Sequence, residues 1–198
     1  MNPARPARTA IRQLNPTCYL VTSGSSRRTA EVAAAAARAG AGIVQVRAKD
    51  LSAAGLLELT LAVAGAVERA NTATRVVVND RCDIAFAAMR VGAHVHGVHL
   101  GQEDLPVADA RALLGPQAVI GLTTGTLELV RGAQAVADLI DYVGAGPFRP
   151  TPTKDSGRPA LGVEGYRPLV GATNLPVVAI GDVRPEDARA LAGTGVAG

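Results

Sequence analysis

Tyr142-Val143-Gly144-Ala145-Gly146-Pro147-Phe148-Arg149-Pro150-Thr151-Pro152-Thr153-Lys154 joins a short apolar run to a polar, proline-stiffened loop. The first four residues have the length and character of a buried strand. Proline fixes φ, so Thr151, Thr153 and Lys154 would be held with little entropy left to lose on binding. Two hydroxyls, neighbouring amides and an ammonium suit a phosphate or pyrophosphate. The plainer alternative is a rigid surface loop between a strand and a helix.

The same join recurs along the chain. Strands are expected at Cys18–Val21, Ile43–Val46, Val76–Val78, Gly97–Leu100, Val119–Leu122, Tyr142–Ala145 and Val177–Ile180. Helices are expected between them at Arg28–Ala39, Ala53–Ala70, Asp83–Met89, Val107–Leu114, Leu127–Ala137, Val163–Leu169 and Pro185–Leu191. The strands recur every roughly 20–35 residues, the period of a βα unit. Pro106 and Pro185 stand where first helical turns would begin. Leu56, Leu57, Leu59, Leu61 and Val63 give the second helix a broad apolar face to lay on a sheet. An open doubly wound sheet and a (β/α)8 barrel share this local pattern. Polar clusters follow strand after strand, and in a barrel all those ends converge on one face. In an open sheet only those near a switch point would meet. The expectation is therefore an α/β chain of the (β/α)8 TIM-barrel class. Its eighth unit starts at Gly195-Val196-Ala197 and is cut short at Gly198.

The chain has 198 residues, enough for one domain with a substantial core. Residues 1–15 read as a flexible arm and 16–198 as the barrel domain. Alanine, glycine and valine dominate, which suits helices packed closely on a parallel sheet. Net charge is only +3, tryptophan is absent and aromatics make up 3%. That composition argues against a nucleic-acid binder, which needs a basic surface and bases to stack on. No apolar segment is long enough to span a membrane, and no signal-peptide pattern follows Arg5, Arg8 and Arg12. Cys18 and Cys82 match neither a disulfide framework nor a metal spacing, so a cytoplasmic setting is expected. Oligomeric state is not legible.

Chemistry gathers after the strands. In Val44-Gln45-Val46-Arg47-Ala48-Lys49-Asp50, the side chains of Gln45, Arg47 and Lys49 alternate onto one face. They bring an amide and two cations to the barrel mouth, a fit for phosphate, against the alternative of an ion pair with Asp50. Val78-Asn79-Asp80-Arg81 ends the third strand, and Asp104 follows the fourth in Gly101-Gln102-Glu103-Asp104-Leu105-Pro106. Each acid has a helix-capping alternative. As a pair after neighbouring strands they suit Mg²⁺, which takes one or two carboxylates plus substrate phosphates, with Glu103 a rival ligand. His94, His96 and His99 resemble a metal run, but alternation sets His99 on the opposite face from the other two. No Gly-x-Gly-x-x-Gly or Walker pattern is present, and no arrangement suggests a nucleophile.

These segments, together with Tyr19-Leu20-Val21-Thr22, Ile120-Gly121-Leu122-Thr123 and Val178-Ala179-Ile180-Gly181, resemble the thiamine-phosphate synthase family in order and register from about residue 17 onward. The resemblance implies a (β/α)8 barrel that joins hydroxymethylpyrimidine diphosphate to a thiazole phosphate with Mg²⁺, releasing pyrophosphate. It implies that Gln45, Arg47, Lys49, Asn79 and Lys154 hold the pyrimidine diphosphate. Arg47, Lys49 and Lys154 would stabilise the departing pyrophosphate, and Asp80 and Asp104 would bind Mg²⁺. Thr151, Thr153 and the Gly181 backbone would meet the thiazole phosphate. Thr123 stands where the family commonly has a serine near the pyrimidine amino group.

Three departures from the family accompany the match. Asp182 replaces a second glycine after Gly181, and Gly125 occupies a position where a histidine is common. The eighth strand's phosphate loop does not appear, so the first and seventh strands are expected to lack a partner there. Two rival readings follow. A thiazole tautomerase-like relative would share the fold but need an acid/base group, which Gly125 removes. A non-catalytic protein that binds the phosphate ligand without coupling is the other.

Overall fold

Short β-branched runs in this chain become the staves of a curved parallel sheet, and the alanine-rich segments between them become its outer helices. The computed structural model describes residues 14–150 and 159–198. Most of the expected N-terminal arm, and Thr151, Thr153 and Lys154, lie outside the described residues. In chain order the elements are β1 (Tyr19–Val21), α1 (Arg27–Arg38), β2 (Ile43–Val46), α2 (Ala53–Ala70), β3 (Arg75–Asn79), α3 (Cys82–Arg90), β4 (Gly97–Leu100), α4 (Val107–Leu114), β5 (Val119–Thr124), α5 (Leu127–Ala135), β6 (Tyr142–Ala145), α6 (Tyr166–Val170) and β7 (Val177–Ala179). A 3₁₀ turn, Pro185–Asp187, leads into α7 (Ala188–Ala192).

The seven strands form one sheet in sequence order, β1 to β7, every neighbouring pair parallel. Period-2 alternation sorts the strand residues into two cores. Val44, Val46, Val76, Val78, Val98, Leu100, Ile120, Val143 and Ala145 join the helices in one apolar layer. Ile43, Val77, Tyr142 and Val178 are buried but do not belong to that layer. They sit on the opposite face of the strands, in the interior of the curved sheet. Small residues set the helix spacing: Ala33, Ala34 and Ala37 bury the α1 face, and α1 packs against α2. The Ser52 hydroxyl caps α2 by accepting from the Gly55 amide at 3.2 Å, and Thr126 caps α5 through Leu129 at 3.2 Å.

The N-terminal ends of the strands are tied by a buried ion pair. Arg111 on α4 meets Asp141 at 2.9 Å, with side chains 12% and 7% exposed. The guanidinium also donates to the Ala118 and Leu139 carbonyls, while Asp141 accepts from the Ile120 amide. Every charge in the pair has hydrogen-bond partners, which is what makes its burial tolerable.

β7 has a partner on its outer side, contrary to the expectation. The Ala197 amide donates to Val177 at 2.8 Å, and the Ala179 amide donates to Gly198 at 2.8 Å. Gly198 in turn lies against the Pro16–Thr17 backbone ahead of β1, so closely that a Cβ would overlap the Pro16 carbonyl. Residues 195–198 thus lie between the seventh strand and the approach to the first.

Candidate active site

The interior-facing positions of five strands meet in one hydrogen-bonded chain of side chains. Gln45 Nε2 on β2 donates to the Tyr19 hydroxyl on β1 at 2.7 Å. The Tyr19 and Tyr142 hydroxyls are 2.6 Å apart. Tyr142 on β6 meets His99 Nδ1 on β4 at 3.0 Å, and His99 Nε2 meets Thr123 Oγ1 on β5 at 3.0 Å. Two glycines make this possible. Asn79, His99, Gly121 and Tyr142 are consecutive partners in the parallel register. A Cβ on Gly121 would overlap the Tyr142 ring and stand 2.5 Å from His99 Nδ1. Gly144 passes His99 at close range in the same way. Burial pushes the Tyr142 and Tyr19 phenols well above their ordinary range, so both stay protonated.

The charged groups lie at the C-terminal ends of β2, β3 and β4. Asp80 has φ +63°, a left-handed conformation unusual for aspartate, and its amide donates to the His99 carbonyl at 2.8 Å. Its carboxylate pairs with Lys49 Nζ at 3.1 Å. Asp104 accepts from the Gly101 amide at 2.6 Å and lies against Asp80. Burial raises the Asp104 pKa, the Gly101 hydrogen bond opposes that rise, and the adjoining Asp80 charge adds to it. Neither acid caps a helix: position Ncap of α3 is Arg81 and that of α4 is Pro106. Lys49 pairs with Asp80 rather than Asp50. The Arg47 amide donates to Thr22 Oγ1 at 3.0 Å, which pins the loop after β2 to the end of β1.

The far wall comes from the loops after β6 and β7. Gly181 (φ +104°) passes so close to Pro147 and Phe148 that a Cβ would sit 2.9 Å from their backbone. Asp182 holds the left-handed conformation that glycine adopts freely, at φ +53°. Its carboxylate turns to Arg184 at 3.2 Å, and its carbonyl accepts from Arg149 at 2.9 Å. Arg149 also grips both Asp187 oxygens at 2.6 Å, and this pairing pulls the Asp187 pKa down to about 2.

Between these walls lies a cavity of about 430 Å³. Of the residues the sequence singled out, Gln45, Arg47, Asn79, Thr123 and Gly181 line it. Lys49, Asp80 and Asp104 form their own cluster next to Asn79. Sequence reasoning missed Tyr19, His99 and Tyr142, which also line the cavity. His94 and His96 play no part in it. Their nitrogens bond the Thr74 carbonyl, the Val76 amide and the Arg75 guanidinium. Among the described residues no group of three or more His, Cys, Asp and Glu could hold a metal, which leaves Asp80 and Asp104 as a two-carboxylate donor set. No helix among them is long and apolar enough to cross a membrane.

The family model described as thiamine monophosphate synthase matches residues 18–198. The chain belongs to the thiamine monophosphate synthase family. Its relatives include a thiamine-phosphate synthase of Corynebacterium jeikeium, 60% identical over 91% of this chain and 83% of that protein. A thiamine-phosphate synthase of Corynebacterium efficiens is also 60% identical, over the same shares. The thiamine phosphate pyrophosphorylase of Pyrococcus furiosus has a solved structure that superposes with a TM-score of 0.76 at 30% identity, covering 94% of this chain and 86% of that one. Family membership gives the five-strand hydrogen-bonded chain and the paired carboxylates a common setting, at the C-terminal ends of a parallel sheet where such folds place their sites.

Proposed function

We propose that this chain is a transferase that couples hydroxymethylpyrimidine diphosphate to a thiazole phosphate, forming thiamine phosphate and pyrophosphate. The observation that carries the reading is the cavity that Gln45, Arg47, Asn79, Thr123 and Gly181 line together, with the Lys49–Asp80–Asp104 cluster beside Asn79. Family membership and the 60% identity to two proteins named thiamine-phosphate synthase support it. The same reading makes the seven strands and the segment 195–198 parts of a (β/α)8 barrel. It carries a cytoplasmic setting, in keeping with two free cysteines, Cys18 and Cys82.

In this reading Gln45, Arg47, Lys49, Asn79 and Lys154 hold the pyrimidine diphosphate, and Thr151, Thr153 and the Gly181 backbone receive the thiazole phosphate. Asp80 and Asp104 fit Mg²⁺: two hard carboxylates are pressed together in a partly buried site, and a divalent cation would offset both the burial that raises the Asp104 pKa and the Asp80 repulsion that adds to it. Bound there, Mg²⁺ supplies positive charge to a diphosphate leaving group. The carbon–oxygen bond to the pyrimidine methylene breaks, and both electrons depart with pyrophosphate. The electron-rich ring bears the resulting cationic methylene. Arg47, Lys49 and Lys154 oppose the charge growing on the leaving oxygens. The thiazole nitrogen lone pair then closes the new carbon–nitrogen bond. No protein nucleophile enters; burial, above all, holds the Cys82 thiol at a pKa of about 11, unsuited to attack.

The rival readings lose their main supports. Tautomerase chemistry needs a proton-transferring group, and the cavity imidazole, His99, has both ring nitrogens engaged by Tyr142 and Thr123. The non-catalytic reading rested on Asp182, whose carboxylate is paired with Arg184, and on the missing eighth strand, in whose place residues 195–198 pair with the β7 edge. Separate equilibrium titrations with pyrimidine diphosphate and thiazole phosphate, both with Mg²⁺, decide between them. Binding of both supports the synthase. Binding of the diphosphate alone supports a non-catalytic ligand binder.

A further inference from the structure

We propose that His99 is a positioning residue for the pyrimidine half of the site, fixed as its Nε2–H tautomer so that Thr123 offers a hydrogen to the pyrimidine ring nitrogen beside the amino group. The ligand end of this inference rests on the function proposed above; the tautomer does not.

The hydrogen-bonded chain has one end of fixed polarity, the Gln45 amide. An amide nitrogen donates and cannot accept. Gln45 Nε2 faces the Tyr19 hydroxyl, so the Tyr19 oxygen accepts there. The Tyr19 hydrogen is then directed at the Tyr142 oxygen. Both phenols are held protonated by burial, so each passes the same polarity on. The Tyr142 hydrogen goes to His99 Nδ1, which must be the unprotonated nitrogen. A neutral imidazole with a bare Nδ1 carries its hydrogen on Nε2. That hydrogen points to Thr123 Oγ1. Thr123 accepts from His99 and keeps its own hydrogen for the cavity it lines. No proton moves along this chain; it is a static device that sets the orientation of one hydroxyl. Gln45 and Thr123, on strands that do not pair with each other, are thereby coupled through the sheet interior.

The surroundings favour a fixed polarity. Gln45 is 3% exposed, His99 8% and Tyr142 fully buried, with Tyr19 and Thr123 half-buried, so water has least access at the Tyr142–His99 link that sets the tautomer. A mispaired donor inside such a chain would leave a buried polar group unsatisfied. Gln102 of the loop after β4 holds the Thr123 carbonyl, which steadies the residue at the end of the chain. Gly121 and Gly144 serve the same device by clearing the space in which Tyr142 and His99 meet.

Two measurements test this. Nitrogen NMR of the ¹⁵N-histidine-labelled chain reads the tautomer directly, without ligand or turnover. We expect His99 to be neutral with the hydrogen on Nε2. A hydrogen on Nδ1 would mean that Gln45 presents its oxygen to Tyr19, that every bond runs backwards and that the proposal is wrong. The second measurement is calorimetric titration of hydroxymethylpyrimidine diphosphate into the parent, Thr123→Val, His99→Leu and the double variant. Loss of one neutral hydrogen bond weakens binding about 3- to 10-fold in each single variant. The double variant should bind no more weakly than Thr123→Val, because His99 acts through Thr123. Multiplied effects in the double variant would overturn the proposal. His99→Gln, whose amide can still donate to Thr123, should bind within about threefold of the parent and covers the case in which His99→Leu fails to fold. Thiazole phosphate affinity should not change in any of them. Absence of diphosphate binding by the parent would overturn the proposed function and the ligand end of this inference, while the NMR result separately decides the tautomer.

Discussion

Adding one methyl group at Gly121 should be among the most damaging small substitutions in this sheet. In Gly121→Ala the new Cβ overlaps the Tyr142 ring and stands 2.5 Å from His99 Nδ1. Tyr142 is fully buried, and its hydroxyl is tied to both Tyr19 and His99. Overpacking of this kind costs about 1–3 kcal/mol. If the ring is displaced, its bonds to Tyr19 and His99 go with it, at about 1 kcal/mol each. The sum is about 3–5 kcal/mol, a large part of the stability of an ordinary domain. With a urea m-value of about 2 kcal/mol/M, the unfolding midpoint should fall by roughly 1.5–2.5 M. Gly144→Ala is the internal control. Its Cβ would stand 3.1 Å from His99 Cε1, which a shift of a few tenths of an ångström relieves. It should cost no more than about 1 kcal/mol, or roughly 0.5 M. Equal midpoints for the two variants, measured by urea titration of far-UV circular dichroism, would refute the packing of Tyr142 against His99 across β5.

Three further outcomes follow from the same geometry. Asp104→Asn should raise the Mg²⁺ concentration for half-maximal turnover about tenfold or more, while leaving metal-free thermal stability equal or higher because it relieves repulsion by Asp80; a rate-against-Mg²⁺ curve and a melting curve read the two effects. Arg111→Ala takes the guanidinium from the buried Asp141 carboxylate, so it should cost about 3–5 kcal/mol in urea unfolding while the folded fraction keeps its turnover, since the pair lies at the opposite ends of the strands. Arg149 lowers the Asp187 pKa to about 2, so this pair contributes its stability above the ordinary carboxylate pKa and loses it as pH falls toward 2. Asp187→Asn should therefore flatten the acid side of the stability curve, and a parent-like slope in that variant would contradict the pairing.

Much of the architecture was legible because the strands are short β-branched runs cut off by polar residues. Ile43–Val46, Gly97–Leu100 and Tyr142–Ala145 have the expected limits. β5 runs on through Thr123 and Thr124, whose branched side chains suit a strand as well as a loop. α6 begins at Tyr166 rather than Val163, because the chain first spends Val163–Gly165 in a turn. The start of an eighth unit at Gly195-Val196-Ala197 was legible, but its pairing with β7 was not, since that depends on how the sheet curves back toward Pro16. At the site, Gln45, Arg47 and the acids announced themselves as polar residues in or after apolar strands. His99 did not, because its neighbours His94 and His96 suggested a metal run and drew attention from the strand face it shares with Asn79 across the register. The signal that would have found it is the pair of strand glycines, Gly121 and Gly144, which mark close approach of a large side chain. Only the register between strands says whose side chain that is.

Thiamine phosphate formation is the decisive assay. The purified chain would receive hydroxymethylpyrimidine diphosphate, thiazole phosphate and Mg²⁺, alongside a metal-free reaction and a Lys154→Ala variant. The parent should form thiamine phosphate and pyrophosphate in equal amounts, and both controls should lose the product. A folded parent that binds both substrates yet forms no thiamine phosphate would contradict the proposed function.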